Sequence, residues 1–226
     1  MTPTGDGNFE RLPSGRHGLT REAVERSQRE RMLRSILAAV SDKGYGATSV
    51  ADVIAGAGVS RTTFYEFWKD KEGCFLAAYD AVIEVLLTRV EAAYAEPGPW
   101  PERVRAGLAA FLHWLVTYPD LARVAVIEAM AAGPRATERY REAVRRFTPF
   151  FEEGRRQAPH ADELPAGVPV VVVGGIAAIV FDEVVAGRTA ELGEVLPELV
   201  YSALAPFLGH DQALDEMDKP ALADAG

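Results

Sequence analysis

The chain has 226 residues, 48% hydrophobic and 25% charged, which is the balance of a soluble protein long enough to bury a core. Its 24 Lys and Arg stand against 33 Asp and Glu, and the net charge of -9 excludes a uniformly basic protein that coats nucleic acid or an anionic membrane. The charge is uneven, because residues 1–75 hold 11 basic and 10 acidic side chains and the remainder carries the excess of acid. We therefore expect contact with an anionic partner only through the N-terminal end.

Cysteine usage and hydropathy predict a cytoplasmic protein without a membrane span. Cys74 is the single cysteine, which excludes an intrachain disulfide and a thiolate metal cluster. Residues 1–20 lack the apolar core of an export signal. The apolar run at 168–181 ends at Asp182, short of the ~20 residues that cross a bilayer, so we interpret it as a buried helix.

In chain order, a polar and Gly/Pro-rich segment at 1–19 predicts a flexible N-terminal arm. Apolar spacings of three and four from Thr20 onwards predict a first helix that ends at Gly44 and Gly46. Ser49 and Ser60 are suited to cap two short helices, and Asp70 precedes a long fourth helix. Residues 20–70 are thus predicted to form a three-helix domain.

The remainder is predicted to be a larger helical domain at 71–208. Proline and glycine punctuate its helices, and Pro149 is a point where one of them can bend. Residues 209–226 are acidic and Ala-rich, which predicts a disordered tail. The chain is therefore expected to be all-α, with about nine helices. The helices predicted for the domain at 71–208 are those at 71–95, 101–118, 119–132, 134–157, 168–186 and 194–208.

The segment at 48–71, TSVADVIAGAGVSRTTFYEFWKDK, has the pattern of a helix-turn-helix. Its two short helices flank a tight turn at Gly58. In the second helix, Arg61, Thr62 and Tyr65 share one side, whereas Phe64 and Trp68 share another and can pack on the first helices. The polar side is cationic and hydroxyl-rich, which suits hydrogen bonds to phosphates and base edges in the major groove of DNA.

Residues 29–80 resemble the DNA-binding domain of TetR/AcrR-family transcriptional regulators, and the preceding LPSGRHGLTRE resembles the N-terminal extension of actinobacterial-type members. The resemblance implies that double-stranded DNA is a partner. The positions that match family contacts to bases or phosphates are Ser49, Arg61, Thr62, Thr63, Tyr65 and Lys71, with Phe67 where the family commonly has a polar residue. Simpler roles are open for three of them: Ser49 as a cap, Lys71 as a solvated charge and Phe67 as core.

The resemblance also implies a homodimer formed by the helices at 168–186 and 194–208, and a cavity for a small-molecule effector. The aromatic and sulfur-containing residues considered for that cavity can equally be packed core; they are Tyr79, Phe111, Trp114, Met130, Phe147 and Phe151. Between residues 79 and 208 we find no catalytic triad, no phosphate loop and no metal-ligand spacing. No catalytic residue, metal or cofactor is therefore predicted.

These observations predict a homodimeric repressor that binds a pseudo-palindromic operator and is released by a largely apolar ligand. An all-helical ligand carrier or enzyme without DNA binding is the alternative, and a protein-interaction scaffold is another. The side of the helix that bears Arg61, Thr62 and Tyr65 discriminates between them, because a carrier has no use for such a side.

Overall fold

The structure is a computed structural model that describes residues 20–219, and within this range it is all-helical, as the sequence predicts. A π-helix at Val124–Glu128 and a 3-10 helix at Thr189–Val195 lie among the α-helices. The α-helices are α1 (Arg21–Ala47), α2 (Val50–Ala57), α3 (Arg61–Phe67), α4 (Lys71–Tyr94), α5 (Trp100–Thr117), α6 (Pro119–Arg123), α7 (Ala129–Ala131), α8 (Pro134–Arg145), α9 (Pro149–Gln157), α10 (Val168–Val185), α11 (Leu196–Leu208) and α12 (His210–Met217).

Helices α1 to α3 form the head of the molecule, and local sequence signals set their ends. Ser49 caps α2 and Ser60 caps α3, each by accepting a hydrogen bond from a backbone N–H in the first turn. Gly58 ends α2 with φ of 61°, a left-handed conformation that glycine adopts without steric cost. The α2 and α3 helices consequently meet at a tight turn, as the helix-turn-helix pattern predicts.

Helix α4 belongs to two hydrophobic cores. Near its start, Cys74 and Phe75 are fully buried in the core of the head, together with residues of α1, α2 and α3. From Tyr79 onwards its buried side chains enter the larger core formed with α5 and the helices that follow. Val124, the first residue of the π-helix, also packs in the core of the head. The helices that follow α3, here called the body, are thus anchored directly on the head.

Two predictions about the body are wrong. Residues 134–157 do not form one bent helix, because Pro149 has no N–H to donate and begins α9 as a separate helix after α8 ends at Arg145. The predicted disordered tail at 209–226 is helical over His210–Met217, where Ala213 and Glu216 are buried against the body. The predicted arm at 1–19 and the last residues of the predicted tail, 220–226, lie outside the described residues.

Helix α10 is unusually apolar, and it is only partly covered in the single chain instead of being the buried helix that the sequence predicts. Its 18 residues have a mean hydropathy of 2.2, so that by length and composition alone it is capable of crossing a membrane. It nevertheless packs against α8, α9 and α11, and α8 exposes charged side chains such as Arg139 and Glu142. One side of α10 is left exposed in the single chain; we call it the α10 stripe, and it consists of Val171, Gly174, Gly175, Ala178, Asp182 and Val185.

Candidate functional site

Helix α3, the second helix of the helix-turn-helix, is held in place from its inner side. Phe64 is fully buried in the core of the head. Arg31 on α1 reaches the turn before α3, where its Nη1 donates to the carbonyl oxygen of Ala57 at 2.6 Å. Ser35 donates from Oγ to the carbonyl of Val53 at 3.0 Å, which fixes α2 against α1. These contacts fix the orientation of α3, so the side chains on its outer side project from a defined position.

The outer side of α3 presents Arg61, Thr62 and Tyr65, which we call the reading face. All three are exposed, and Tyr65 retains 46% of its accessible surface. The guanidinium of Arg61 lies over the Tyr65 ring, 5.5 Å from its centroid, which holds the Arg61 side chain beside Tyr65 on this face. A planar fork of donors beside two hydroxyl groups can pair with a guanine edge and neighbouring phosphate oxygens.

Ser49 and Thr63 are occupied in helix caps. Ser49 Oγ accepts from the backbone N–H of Asp52, and Asp52 Oδ2 accepts from the backbone N–H of Ser49 at 2.7 Å, which completes a capping box. The Ser49 hydroxyl also donates to Asp52 Oδ2 at 2.6 Å. The bonds from Lys43 and Ser49 hold the pKa of the Asp52 carboxyl well below its usual range. Thr63 is half-buried, with its hydroxyl 2.9 Å from Ser60 Oγ. Ser49 stays exposed beside the head, so its predicted phosphate contact is sterically open.

The ammonium group of Lys71 is hydrogen-bonded within the chain. Its Nζ donates to the carbonyl oxygens of Tyr45 at 2.7 Å and Thr48 at 2.8 Å, and it lies 3.9 Å from the centroid of the Tyr45 ring. Partial burial lowers the pKa of Lys71. The simple alternative of a solvated charge does not describe this residue. Lys71 clamps the link between α1 and α2 onto the start of α4.

Phe67 is half-buried at the end of α3 and packs on the core of the head together with Trp68. The Trp68 ring lies under the guanidinium of Arg29, 5.3 Å from its centroid. The geometry favours the core role for Phe67, since its side chain packs against the core of the head.

The body contains a largely apolar cavity that is partly open to solvent. Helices α4, α5, α8, α9 and α10 and the π-helix all contribute to its wall. Within the described residues, its lining includes no charged side chain, and its polar side chains are three tyrosines, Tyr79, Tyr94 and Tyr140. Such a space can hold a small hydrophobic molecule.

Four of the six residues considered for a ligand site line this cavity, namely Tyr79, Phe111, Phe147 and Phe151. The other two are elsewhere. Trp114 is buried in the core, with its ring 5.5 Å from that of Tyr118. Met130 is 43% exposed on the short helix α7. Helical spacing could not separate these cases, because it shows which residues are apolar but not which of them face a gap in the packing.

A link between the cavity and the head was missed by the sequence reasoning. Ala125 and Val126 of the π-helix line the cavity, while Glu128 at its end accepts a hydrogen bond from the backbone N–H of Tyr45 at 2.8 Å. Glu128 is only 5% exposed and is also paired with Arg123 at 3.0 Å. The available signal was a single acidic residue in the otherwise apolar run from Val124 to Ala132.

Comparison with known proteins gives three kinds of match. Residues 33–78 match the sequence model of the bacterial regulatory proteins of the tetR family. The chain is 30% identical over 134 residues to the HTH-type transcriptional regulator EthR of Mycolicibacterium smegmatis, an alignment that spans 57% of this chain and 58% of that relative.

Solved structures share the fold. The fatty acid degradation regulator FadR of Bacillus halodurans aligns with a TM-score of 0.68 at 15% identity, over 77% of this chain and 97% of its own. FadR of Bacillus subtilis, solved in complex with stearoyl-CoA, aligns with a TM-score of 0.65 at 16% identity, over 80% and 98%. A TetR family regulator from Marinobacter aquaeolei aligns with a TM-score of 0.62 at 18% identity, over 82% and 97%. The tetR family model thus matches the helix-turn-helix region at residues 33–78, and the solved structures show that this chain shares the fold of those regulators.

Proposed function

We propose that this protein is a sequence-specific DNA-binding transcriptional regulator and not an enzyme. The observation that carries the proposal is the reading face, because Arg61, Thr62 and Tyr65 are exposed on a helix whose inner side is fixed by Phe64 and the Arg31 contact. A short helix held in this way and bearing a guanidinium group suits insertion into the major groove. The proposed compartment is the cytoplasm, where bacterial DNA is accessible.

The proposed regulator acts as a homodimer formed by α10 and α11. The support is the bare α10 stripe, whose Val171 is 74% exposed and whose glycines allow the close approach of a second helix. Pairing this surface with its symmetry mate would form a four-helix interface and present two copies of α3 on one side of the molecule. The operator is then a pseudo-palindrome, and occupation of it represses the adjacent gene.

The proposed effector occupies the cavity and releases the protein from DNA. Two routes from the cavity meet at Tyr45, beside the link between α1 and α2. One runs through the π-helix to Glu128 and the Tyr45 N–H. The other runs along α4, where the Phe75 ring lies 6.5 Å from that of Tyr79 and 4.9 Å from that of Tyr45. A ligand that favours another arrangement of the π-helix would shift the head away from the DNA-binding geometry.

The chemistry of the cavity indicates a mainly apolar effector. A relative of the same fold, FadR of Bacillus subtilis, was solved with stearoyl-CoA, which contains a long apolar chain. For this chain the proposal extends only to the class of molecule, because its apolar lining suits an aliphatic or aromatic group without a charge in the cavity.

The test is a gel-shift titration with short overlapping duplexes from the region upstream of the protein's own gene. Wild-type protein is expected to retard one duplex at a concentration that leaves the others free. A variant in which Thr62 and Tyr65 are both replaced by Ala is expected to lose that preference and keep its fold by circular dichroism. Equal retardation of every duplex by both proteins would contradict sequence-specific recognition and favour the ligand-carrier alternative.

A further inference from the structure

The hydroxyl group of Tyr79 is buried without a hydrogen-bond partner. Tyr79 is 2% exposed, it lines the cavity, and its Oη contacts no donor or acceptor within the described part of the chain. A buried polar atom left unpaired destabilises a protein, and natural structures contain few of them. An orphan of this kind beside a cavity indicates a partner that arrives with a ligand.

The other cavity tyrosines differ from Tyr79. Tyr94 Oη is 2.7 Å from Glu153 Oε2 and 3.2 Å from the carbonyl oxygen of Phe150, and Arg103 donates to it at 3.3 Å. Tyr140 is half-buried, and its Oη is not among the buried orphan atoms of the described residues. Of the cavity-lining side chains that the structure describes, Tyr79 is therefore the one with an unmet hydrogen-bonding requirement.

The protonation state of the Tyr79 hydroxyl determines which ligand groups it can hydrogen-bond. Burial, and after it the neighbouring Tyr140, raise the pKa of Tyr79 above its usual value, so the group keeps its proton at neutral pH and has an O–H to donate. Because the cavity lining has no charged side chain among residues 20–219, a carboxylate or ammonium group there would be desolvated without a counter-ion. A neutral oxygen acceptor satisfies the phenol without that penalty.

We propose that Tyr79 donates a hydrogen bond to the single oxygen acceptor of an uncharged, otherwise apolar effector, such as a ketone, an ester or a lactone. This inference rests on the proposed role of the cavity as the effector site and narrows the class of molecule that fills it. Phe111, Phe147 and Phe151 line other parts of the wall and contact the apolar remainder. A hydrocarbon ligand would leave the Tyr79 hydroxyl without a hydrogen-bond acceptor. A carboxylate ligand would find no positively charged side chain in the described cavity lining to pair with.

The experiment is competition against Nile red, an uncharged apolar dye, on the full-length protein. The competitors are nonane, the isomeric nonanones with the carbonyl at successive positions, and nonanoate. The best nonanone is expected to bind wild type roughly ten-fold more tightly than nonane, which is the ratio for one hydrogen bond of ordinary strength. Nonanoate is expected to bind most weakly.

Two variants separate a ligand contact from a structural role. Tyr79→Phe is expected to remove the advantage of the nonanone, to leave nonane affinity unchanged, and to keep or raise the melting temperature of the unliganded protein, because it deletes an unpaired group. Tyr94→Phe, the matched control, is expected to retain the advantage while it loses the bond to Glu153. A preference for nonanone that persists in Tyr79→Phe would overturn the proposal, as would a lower melting temperature for that variant.

Failure of the inference can be distinguished from failure of the proposed effector site. If Nile red and nonane bind but no nonanone is preferred, the role of Tyr79 is wrong and the cavity is still a ligand site. If Nile red itself does not bind, or if its binding leaves DNA affinity unchanged, the effector function of the cavity fails and the inference fails with it.

Discussion

Arg61 is the side chain whose chemistry bears most directly on base recognition. It is exposed, and Tyr65 supports it through the ring contact and an Nη2–Oη distance of 3.5 Å. Arg61→Ala is expected to weaken specific binding by about 1–3 kcal/mol and to leave non-specific binding less affected, because a bidentate contact to guanine is lost. Fluorescence anisotropy on operator and scrambled duplexes measures both.

The matched control for that prediction is Arg156→Ala, which removes the same charge from an exposed position at the end of α9. Equal losses on operator and scrambled DNA for Arg61→Ala would show that Arg61 is only a phosphate anchor. A loss of similar size for Arg156→Ala would show that net charge alone accounts for the effect.

Replacement of Lys71 tests whether this basic residue at the edge of the head contacts a DNA phosphate or stabilises the fold. Lys71→Met is expected to lower the free energy of unfolding by about 1–3 kcal/mol, because the carbonyls of Tyr45 and Thr48 lose their donor. Chemical denaturation measures this change, with Lys69→Met as the control that removes an exposed charge two residues away.

The salt dependence of DNA binding distinguishes the two roles of Lys71. The slope of log K against log salt concentration is expected to be unchanged in Lys71→Met, since the ammonium is already bound within the chain. A slope smaller by roughly 0.9 would mean that Lys71 neutralises one phosphate, and the clamp would then be a secondary role.

At the residue scale, short-range roles were predictable from the sequence and long-range ones were not. Ser49 and Ser60 are caps because their partners lie within three residues, a distance over which sequence spacing determines geometry. The carbonyl partners of Lys71 lie 23 and 26 residues away, and only the packing of α1 against α4 brings them together.

Among the elements, the π-helix at Val124–Glu128 joins the cavity to the head. Glu128→Ala is expected to lower the free energy of unfolding by about 1.5–3 kcal/mol, because a buried charged hydrogen bond to the Tyr45 N–H is lost. The amide of Tyr45 should then exchange faster with deuterium, which hydrogen-exchange mass spectrometry of the peptide around it can measure.

Glu138→Ala, on the exposed side of α8, is the control for that measurement. If the Tyr45 amide keeps its wild-type exchange rate in Glu128→Ala, the π-helix does not hold the head, and the proposed route for effector signals loses its structural basis.

The extent of each element was predictable where the chain carries its own stop signal. Gly58 ends α2 because glycine readily adopts a left-handed conformation, and Pro119 begins α6 because its ring fixes φ and it has no N–H to donate. The π-helix has no comparable mark in the sequence; Val124 packs in the core of the head and Val126 in the core of the body, and spacing does not reveal such long-range contacts. The burial of Ala213 on α12 also depends on distant contacts that composition does not encode.

For the whole molecule, the proposed dimer depends on the α10 stripe. Val171→Asp is expected to give a monomer in sedimentation velocity, because the two copies would bury unpaired carboxylates where apolar surfaces should meet. Val85→Asp, on α4 at a position 50% exposed, is the matched control and is expected to stay dimeric. A dimeric Val171→Asp protein would move the interface elsewhere.

The overall architecture was predictable because two independent signals agree over the head: helical periodicity and the glycine turn before the reading face. The cavity was not predictable in its details. Trp114 and Phe111 lie three residues apart on α5, yet one is buried in the core and the other lines the cavity. Which of two neighbouring aromatic residues faces a void depends on how α8, α9 and α10 pack around it.

The central claim is that two copies of α3 read DNA together, and footprinting of the protein on the region upstream of its own gene tests it most directly. The account predicts two protected half-sites, related by approximate two-fold symmetry and centred about one helical turn (~34 Å) or a small multiple apart. Arg61→Ala should abolish that protection at the same protein concentration. Absence of protection at low ionic strength, or a footprint unchanged by Arg61→Ala, would contradict the account.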